Sequence, residues 1–154
     1  MRIDQLMSRG VHYCSPDDTL DTAAGQMWQH DCGCVPVCSG NGTPEVIGMI
    51  TDRDICMCAF FQAKPLHELR VADAMSREVY TCRASDRPAE VERTMRRRQI
   101  RRVPVTDREG RLVGIVSLAD FARDAGQGAE TPASEIGNTL AAICEPTRPR
   151  SAVA

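Results

Sequence analysis

Aromatic side chains are scarce: one Trp, two Tyr and three Phe make up 4% of 154 residues. That scarcity argues against single-stranded nucleic acid as a partner, because bases need aromatic platforms to stack on. An excess of one charge is missing too. Nineteen basic residues face 21 acidic ones, and a formal net charge of -2 offers no overall basic field. No apolar run approaches the roughly 18–20 residues that span a bilayer. No charged start leads into an apolar stretch and a small-residue cleavage site, so a secretory signal is not expected. The protein is read as soluble and cytoplasmic, with neither nucleic acid nor membrane as a partner. His12, His30 and His67 share no ligand-like spacing, and no Ser-His-Asp or Cys-His set stands out, so no enzyme is expected.

Cysteine, by contrast, is plentiful, with eight in the chain. Without an export signal, and with 42% hydrophobic residues to build a core, reduced thiols packed as small hydrophobes are expected. Cys32-Gly33-Cys34 and Cys38, with Cys56 and Cys58 further on, form a cluster. Their spacing is not the usual pair of C-x2-C knuckles, and neighbours two apart on a helix point to different sides. A redox or metal sensor stays open as an alternative, and no metal ligand set is assigned.

The sequence repeats itself. Met7-Ser8-Arg9 recurs as Met75-Ser76-Arg77, and at the same offset Cys14 meets Cys82, Asp18 meets Asp86, and Val35-Pro36-Val37 meets Val103-Pro104-Val105. The offset then shortens by two residues, pairing Gly48 with Gly114 and Asp54 with Asp120. The extra residues fall in the turn Ser39-Gly40-Asn41-Gly42-Thr43-Pro44, where an insertion is tolerated. Each copy reads as strand, helix, strand, strand, helix. Val11–Cys14 and Val79–Cys82 are the expected first strands. Asp18 is the expected cap of a helix carrying Leu20, Ala23, Ala24 and Met27, matched by Val91 and Met95 in copy two. A hairpin follows, and closing helices start at Thr51 and Ser117. One copy alone would be marginal, whereas two α+β units packed sheet to sheet about a pseudo-twofold axis would bury both apolar faces.

Gly48-Met49-Ile50-Thr51-Asp52-Arg53-Asp54 and Gly114-Ile115-Val116-Ser117-Leu118-Ala119-Asp120 share the form G-h-h-[ST]-x-x-D. Alone, each reads as a capping box: the hydroxyl caps the helix and the acid answers a backbone N–H. Two copies, each downstream of Val-Pro-Val, are more specific. Together with the Met-Ser starts, they resemble the cystathionine-β-synthase (CBS) domain family over about residues 3–126. The resemblance implies an α/β fold of tandem β-α-β-β-α repeats, residues 1–66 and 67–126, followed by a C-terminal segment 127–154. It implies that the two repeats form a Bateman module, which pairs into a flat homodimer and senses an adenine nucleotide (AMP, ADP, ATP or another adenosyl ligand) as regulatory ligand, without an obligatory cofactor, on behalf of an unknown partner. A ligand-free interaction scaffold is the other implied reading.

By the same resemblance, Asp54 and Asp120 would accept the ribose hydroxyls, and Thr51 and Ser117 would reach the ribose or α-phosphate. The chemistry agrees, since a diol offers two donors to one carboxylate and a helix N-terminus favours phosphate. Adenine would lie against Val11, Tyr13 and Cys14 with Val35 and Pro36 in copy one. In copy two it would meet Val79, Thr81, Val103 and Pro104. Arg101 and Arg102 precede Val103 as candidate phosphate clamps, where copy one has Gly33-Cys34, and Arg53 partly compensates. The clefts are therefore expected to differ.

Arg93, Arg96, Arg97 and Arg98 read as a solvated helix face. Trp28 and Phe60-Phe61 are expected to cover the core or a dimer face. Gly126-Gln127-Gly128-Ala129 reads as a linker and Glu145–Ala154 as a mobile end. Between them, a helix with Ile136, Leu140 and Ile143 on one stripe is expected to start after Thr131-Pro132.

Overall fold

The computed structural model describes residues 1–40, 42–125 and 131–146; the expected linker and most of the expected mobile end lie outside them. It is a mixed α/β chain of two small sheets and six α-helices among those residues. Two compact units emerge, one joining Gly10–Thr81 to Thr106–Val113, the other joining Met1–Arg9, Cys82–Val105 and Gly114 onward.

In the first unit, helix α1 (Leu20–Gln29) buries Leu20, Ala23 and Met27, the expected stripe. Its cap differs from expectation. Thr19 is the N-cap residue, while the Asp18 carboxylate accepts the Ser15 backbone N–H at 2.8 Å. Asp86 makes the matching bond to Arg83 at 2.8 Å. These side-chain turns bend the chain at the downstream end of each expected first strand. Instead of a strand over Val11–Cys14 there is one parallel bridge, Cys14 to Val37. Instead of Val79–Cys82 there is β3 (Cys82–Arg83).

Strands β1 (Cys34–Ser39) and β2 (Glu45–Thr51) pair antiparallel, Val35 opposite Ile50 and Val37 opposite Gly48, with a bulge between Val37 and Cys38. Helix α2 (Asp52–Gln62) follows at once, and the short helix α3 (Val71–Ala74) closes the unit. Leu20, Val35, Val37, Ile50 and Val71 centre its core, each at most 1% exposed. Trp28, Phe60 and Phe61 do not cover it: they are 88%, 71% and 76% exposed.

The second unit repeats the plan. β3 lies beside β4 (Arg102–Thr106), which pairs with β5 (Leu112–Ser117). Helix α4 (Pro88–Arg98) starts on a proline and buries Val91 and Met95. Helix α5 (Leu118–Ala125) buries Phe121. Even the backbone keeps the period: Asp31 (φ 49) and Gln99 (φ 53), both non-glycine, are left-handed at equivalent positions.

Helix α6 (Ala133–Ile143) packs on α4 and α5. Its buried stripe is Ile136, Thr139 and Ile143, whereas the expected Leu140 is 46% exposed. The reason lies in α4, whose Glu92 is buried and needs a donor. The Thr139 hydroxyl gives its hydrogen to that carboxylate, which an apolar leucine could not do. Burial, then the negative charge of Glu135, pushes the Glu92 carboxyl above its ordinary range, and Arg96 and Arg93 oppose this.

The Met-Ser segments explain the motif glycines. Ser8 exchanges backbone hydrogen bonds with Ile115 (2.9 and 3.0 Å), and Ser76 does so with Met49 (2.8 and 3.0 Å). Each compact unit thus draws its Met-Ser segment from the opposite copy. The approach is close: a Cβ on Gly48 would stand 2.9 Å from the Ser76 carbonyl oxygen, and one on Gly114 only 2.6 Å from the Met7 sulfur. Gly48→Ala should therefore cost about 1–3 kcal/mol by overpacking against backbone. Urea unfolding should show a lower midpoint, and an unchanged midpoint would refute the close approach.

Candidate functional site

The site residues gather where a sheet strand turns into a helix. Thr51 ends β2 in an extended conformation (φ -113, ψ 162) and caps α2. Its hydroxyl accepts the Asp54 N–H at 3.1 Å, and Asp54 Oδ2 accepts the Thr51 N–H at 2.9 Å and its hydroxyl at 2.8 Å. Ser117 and Asp120 build the same box, with 2.7 Å and 2.6 Å to Asp120 Oδ2 and 3.3 Å back to the serine hydroxyl. In both copies one carboxylate oxygen is spent on the cap.

The second oxygen separates the copies. Asp54 Oδ1 has no protein partner among the described residues, and Asp54 is half-buried. Asp120 is 9% exposed, and its Oδ1 accepts from the Arg123 guanidinium. Arg123 was missed in the sequence, although its place three residues after Asp120 on one helix puts the two side chains side by side. With its side chain 69% exposed, it holds Asp120 weakly and can be displaced.

Around the copy-one box, Val35 and Pro36 are buried on β1, and Cys14 donates its N–H to the Pro36 carbonyl at 3.0 Å. Val11 is half-buried and Tyr13 is 43% exposed. All of these share one compact unit with Thr51, Arg53 and Asp54, Arg53 being exposed on the first turn of α2. In copy two, Val103 and Pro104 are buried on β4 in the unit that holds Ser117 and Asp120. Val79, half-buried, and Thr81, exposed, belong to the other unit. The Arg101 carbonyl accepts the Leu118 N–H at 2.8 Å, as the Gly33 carbonyl accepts that of Asp52 at 3.1 Å. The Arg101 side chain is exposed and reaches the Cys144 sulfur at 3.9 Å, while Arg102 is half-buried. A groove of about 570 Å³ opens elsewhere, between α1 and α2, and includes neither Val35, Pro36 nor Asp54.

The cysteines divide by environment. Burial pushes the Cys14 thiol up to about 12, with Asp18 adding to it, and pushes Cys38 to about 11. Burial and then Asp86 push Cys82 to about 12. Cys14 and Cys82, at equivalent positions, thus line the interior as protonated thiols. Among the described residues, no group of three or more His, Cys, Asp or Glu is placed to hold a metal ion. No helix among them is long and apolar enough to cross a membrane.

A family model, the CBS domain, matches residues 3–59 and again 71–125. The chain belongs to the CBS domain family. Among curated relatives of this CBS pair, hypoxic response protein 1 of Mycobacterium tuberculosis is 33% identical over 141 residues, 92% of each chain. A structure of Hypoxic Response Protein I, solved with two coordinated zinc ions, superposes with a TM-score of 0.70, covering 80% of this chain and 98% of that one at 33% identity. The CBS pair of protein MJ0100, solved with 5-methylthioadenosine and S-adenosyl-L-methionine, is 26% identical with a TM-score of 0.67, covering 80% and 98%. CBSX2, solved with AMP, shares the fold at 24% identity and a TM-score of 0.70, covering 82% and 96%.

The thiol environments predict a labelling pattern. At pH 8 iodoacetamide should alkylate exposed Cys56 and Cys144, while Cys14, Cys38 and Cys82 react only after unfolding. Mass spectrometry of the native protein checks this, and native alkylation of Cys14 or Cys82 would contradict it.

Proposed function

We propose that this CBS pair is a non-catalytic regulatory module that binds an adenine nucleotide and answers by changing the geometry of a homodimer. The repeats run over residues 1–66 and 67–126. The observation that carries the reading is the duplicated Thr/Ser-x-x-Asp box at a strand-to-helix junction, in the same compact unit as a buried Val-Pro pair. The Asp54 and Asp120 carboxylates accept the ribose diol, Thr51 and Ser117 reach the ribose or α-phosphate, and adenine lies against the Val-Pro walls. In copy one that wall is Val35 and Pro36 with Val11, Tyr13 and Cys14. In copy two it is Val103 and Pro104. Arg53, Arg101 and Arg102 meet the phosphates. The adenosyl ligands of MJ0100 and the AMP of CBSX2 support the ligand class. No cofactor is required, the module works in the cytoplasm, and the protein it regulates is a separate chain.

An interaction scaffold is the second reading, favoured by the exposure of Trp28, Phe60 and Phe61.

The clefts should differ, because a nucleotide at Asp120 must displace Arg123, while Asp54 has an oxygen without a partner among the described residues. Calorimetric titration with AMP, ATP and S-adenosylmethionine tests the reading. Asp54→Ala should remove the tighter event and Asp120→Ala the weaker, each by roughly tenfold or more and with the fold intact. No heat with any of the three would refute it.

A further inference from the structure

Helix α6 lies beyond the second family match and is held in two different ways. Its buried stripe, Ile136, Thr139 and Ile143, locks it onto α4 and α5, with Thr139 donating to buried Glu92. Its C-terminal end is held by exposed side chains. The Gln99 side-chain amide donates to the Ala142 carbonyl at 3.0 Å and lies 3.4 Å from that of Glu145. The Arg101 guanidinium reaches Sγ of Cys144, the C-cap residue, at 3.9 Å. The last carbonyls of a helix carry partial negative charge, which favours a donor and a cation there. Exposed contacts of this kind are weak, so this end can lift while the buried stripe stays in place.

Arg101 is also tied to the copy-two box, through its backbone. Its carbonyl accepts the N–H of Leu118, which follows Ser117 directly and opens α5, at 2.8 Å. The backbone of Arg101 therefore stands at the box while its guanidinium is engaged by α6. Copy one makes the same backbone bond, from the Asp52 N–H to the Gly33 carbonyl at 3.1 Å. Gly33 has no side chain to turn either way, and Asp31, an acceptor, stands where Gln99 donates. The hold is a property of copy two.

We propose that Gln99 and Cys144 are specificity-determining residues of the copy-two cleft, because they engage the end of α6 and Arg101 and so withhold that guanidinium from the phosphates of a nucleotide. The proposal rests on the nucleotide reading above and adds what controls it. With Arg101 held, the cleft reads the nucleoside through Asp120 and Ser117 and gains little from added phosphates. When the end of α6 lifts, the guanidinium is free to form paired N–H···O bonds to a phosphate, from a backbone already fixed beside a helix N-terminus. Gln99 and Cys144 touch no nucleotide; they act through Arg101, as positioning residues. Linkage runs both ways. A ligand whose phosphates draw Arg101 over must loosen the end of α6, and adenosine, which has none, must not.

The test is calorimetry with adenosine, AMP and ATP on the full chain carrying Asp54→Ala, so that copy two titrates by itself. The same chain with Gln99→Asn is compared. Asparagine is at home in the left-handed conformation that Gln99 holds (φ 53) and is one methylene too short for the Ala142 carbonyl. Cys144→Ala, at an exposed side chain, breaks the other contact without touching the α4–β4 turn. In either variant ATP should bind about three- to fivefold tighter, adenosine equally well, and the thermal melt should not move. Adding Arg101→Ala should cancel the gain. In the chain without these changes, ATP but not adenosine should quicken hydrogen exchange at the Cys144 and Glu145 amides, which bond to Leu140 and Ala142. ATP affinity unchanged or lowered in both variants, an equal gain for adenosine, or a gain that survives Arg101→Ala would each overturn the proposal. So would bound ATP that leaves those amides as protected as before. The two readings fail separately. No heat with any of the three ligands, in the unaltered chain or the variants, removes the nucleotide and this control with it. ATP that binds copy two with one affinity in every variant removes the control and leaves the nucleotide.

Discussion

Both halves of this molecule depend on a close backbone approach at Gly48 and Gly114. The Met-Ser segment that opens each copy hydrogen-bonds to the other copy's strand at Met49 or Ile115, and only a residue without Cβ allows it to come near enough. Three residues after each glycine the strand becomes a helix, and the capping pair forms. The approach therefore holds the strand end from which Thr51 and Ser117 present their hydroxyls. It also makes the copies interdependent, since neither strand is completed by its own Met-Ser segment. A small domain gains from this, because each copy alone would bury too little surface to be stable.

In the proposed reading the capping pair serves structure and recognition with different atoms. One carboxylate oxygen closes the helix N-terminus, and the other takes no part in the cap. Capping alone does not need a carboxylate with a spare oxygen, since a glutamine or a bare threonine would serve. The copies keep this arrangement and then diverge at the second oxygen, which has no protein partner among the described residues in Asp54 and is held by Arg123 in Asp120. Divergence continues outward. Copy two has arginines before its Val-Pro and a helix across its outer face, whereas copy one has cysteines and exposed aromatics there.

Much of this could be read in the sequence, for identifiable reasons. The repeat, the hairpins and both closing helices follow from apolar periodicity and from hydroxyl–acid spacing, which are local properties. The first strands could not be read that way. Val11–Cys14 has the composition of a strand, yet only Cys14 pairs, with the distant Val37, and such a partner has no local signature. The α6 stripe was misplaced at Leu140 because the partner of Thr139 is a buried acid 47 residues away. The Met-Ser exchange and the exposure of Trp28 are tertiary facts with no local signature. Arg123 was missed, although its helical spacing from Asp120 is a local signal.

The central claim is that Asp54 and Asp120 read a ribose diol. Calorimetric comparison of AMP with 2′-deoxy-AMP on the intact chain tests it most directly, because only the hydroxyl that one carboxylate oxygen accepts is removed. Loss of a hydrogen bond to a charged acceptor is worth about 1.5–3 kcal/mol, so 2′-deoxy-AMP should bind roughly ten- to a hundredfold more weakly. Equal affinity for the two nucleotides would contradict the account.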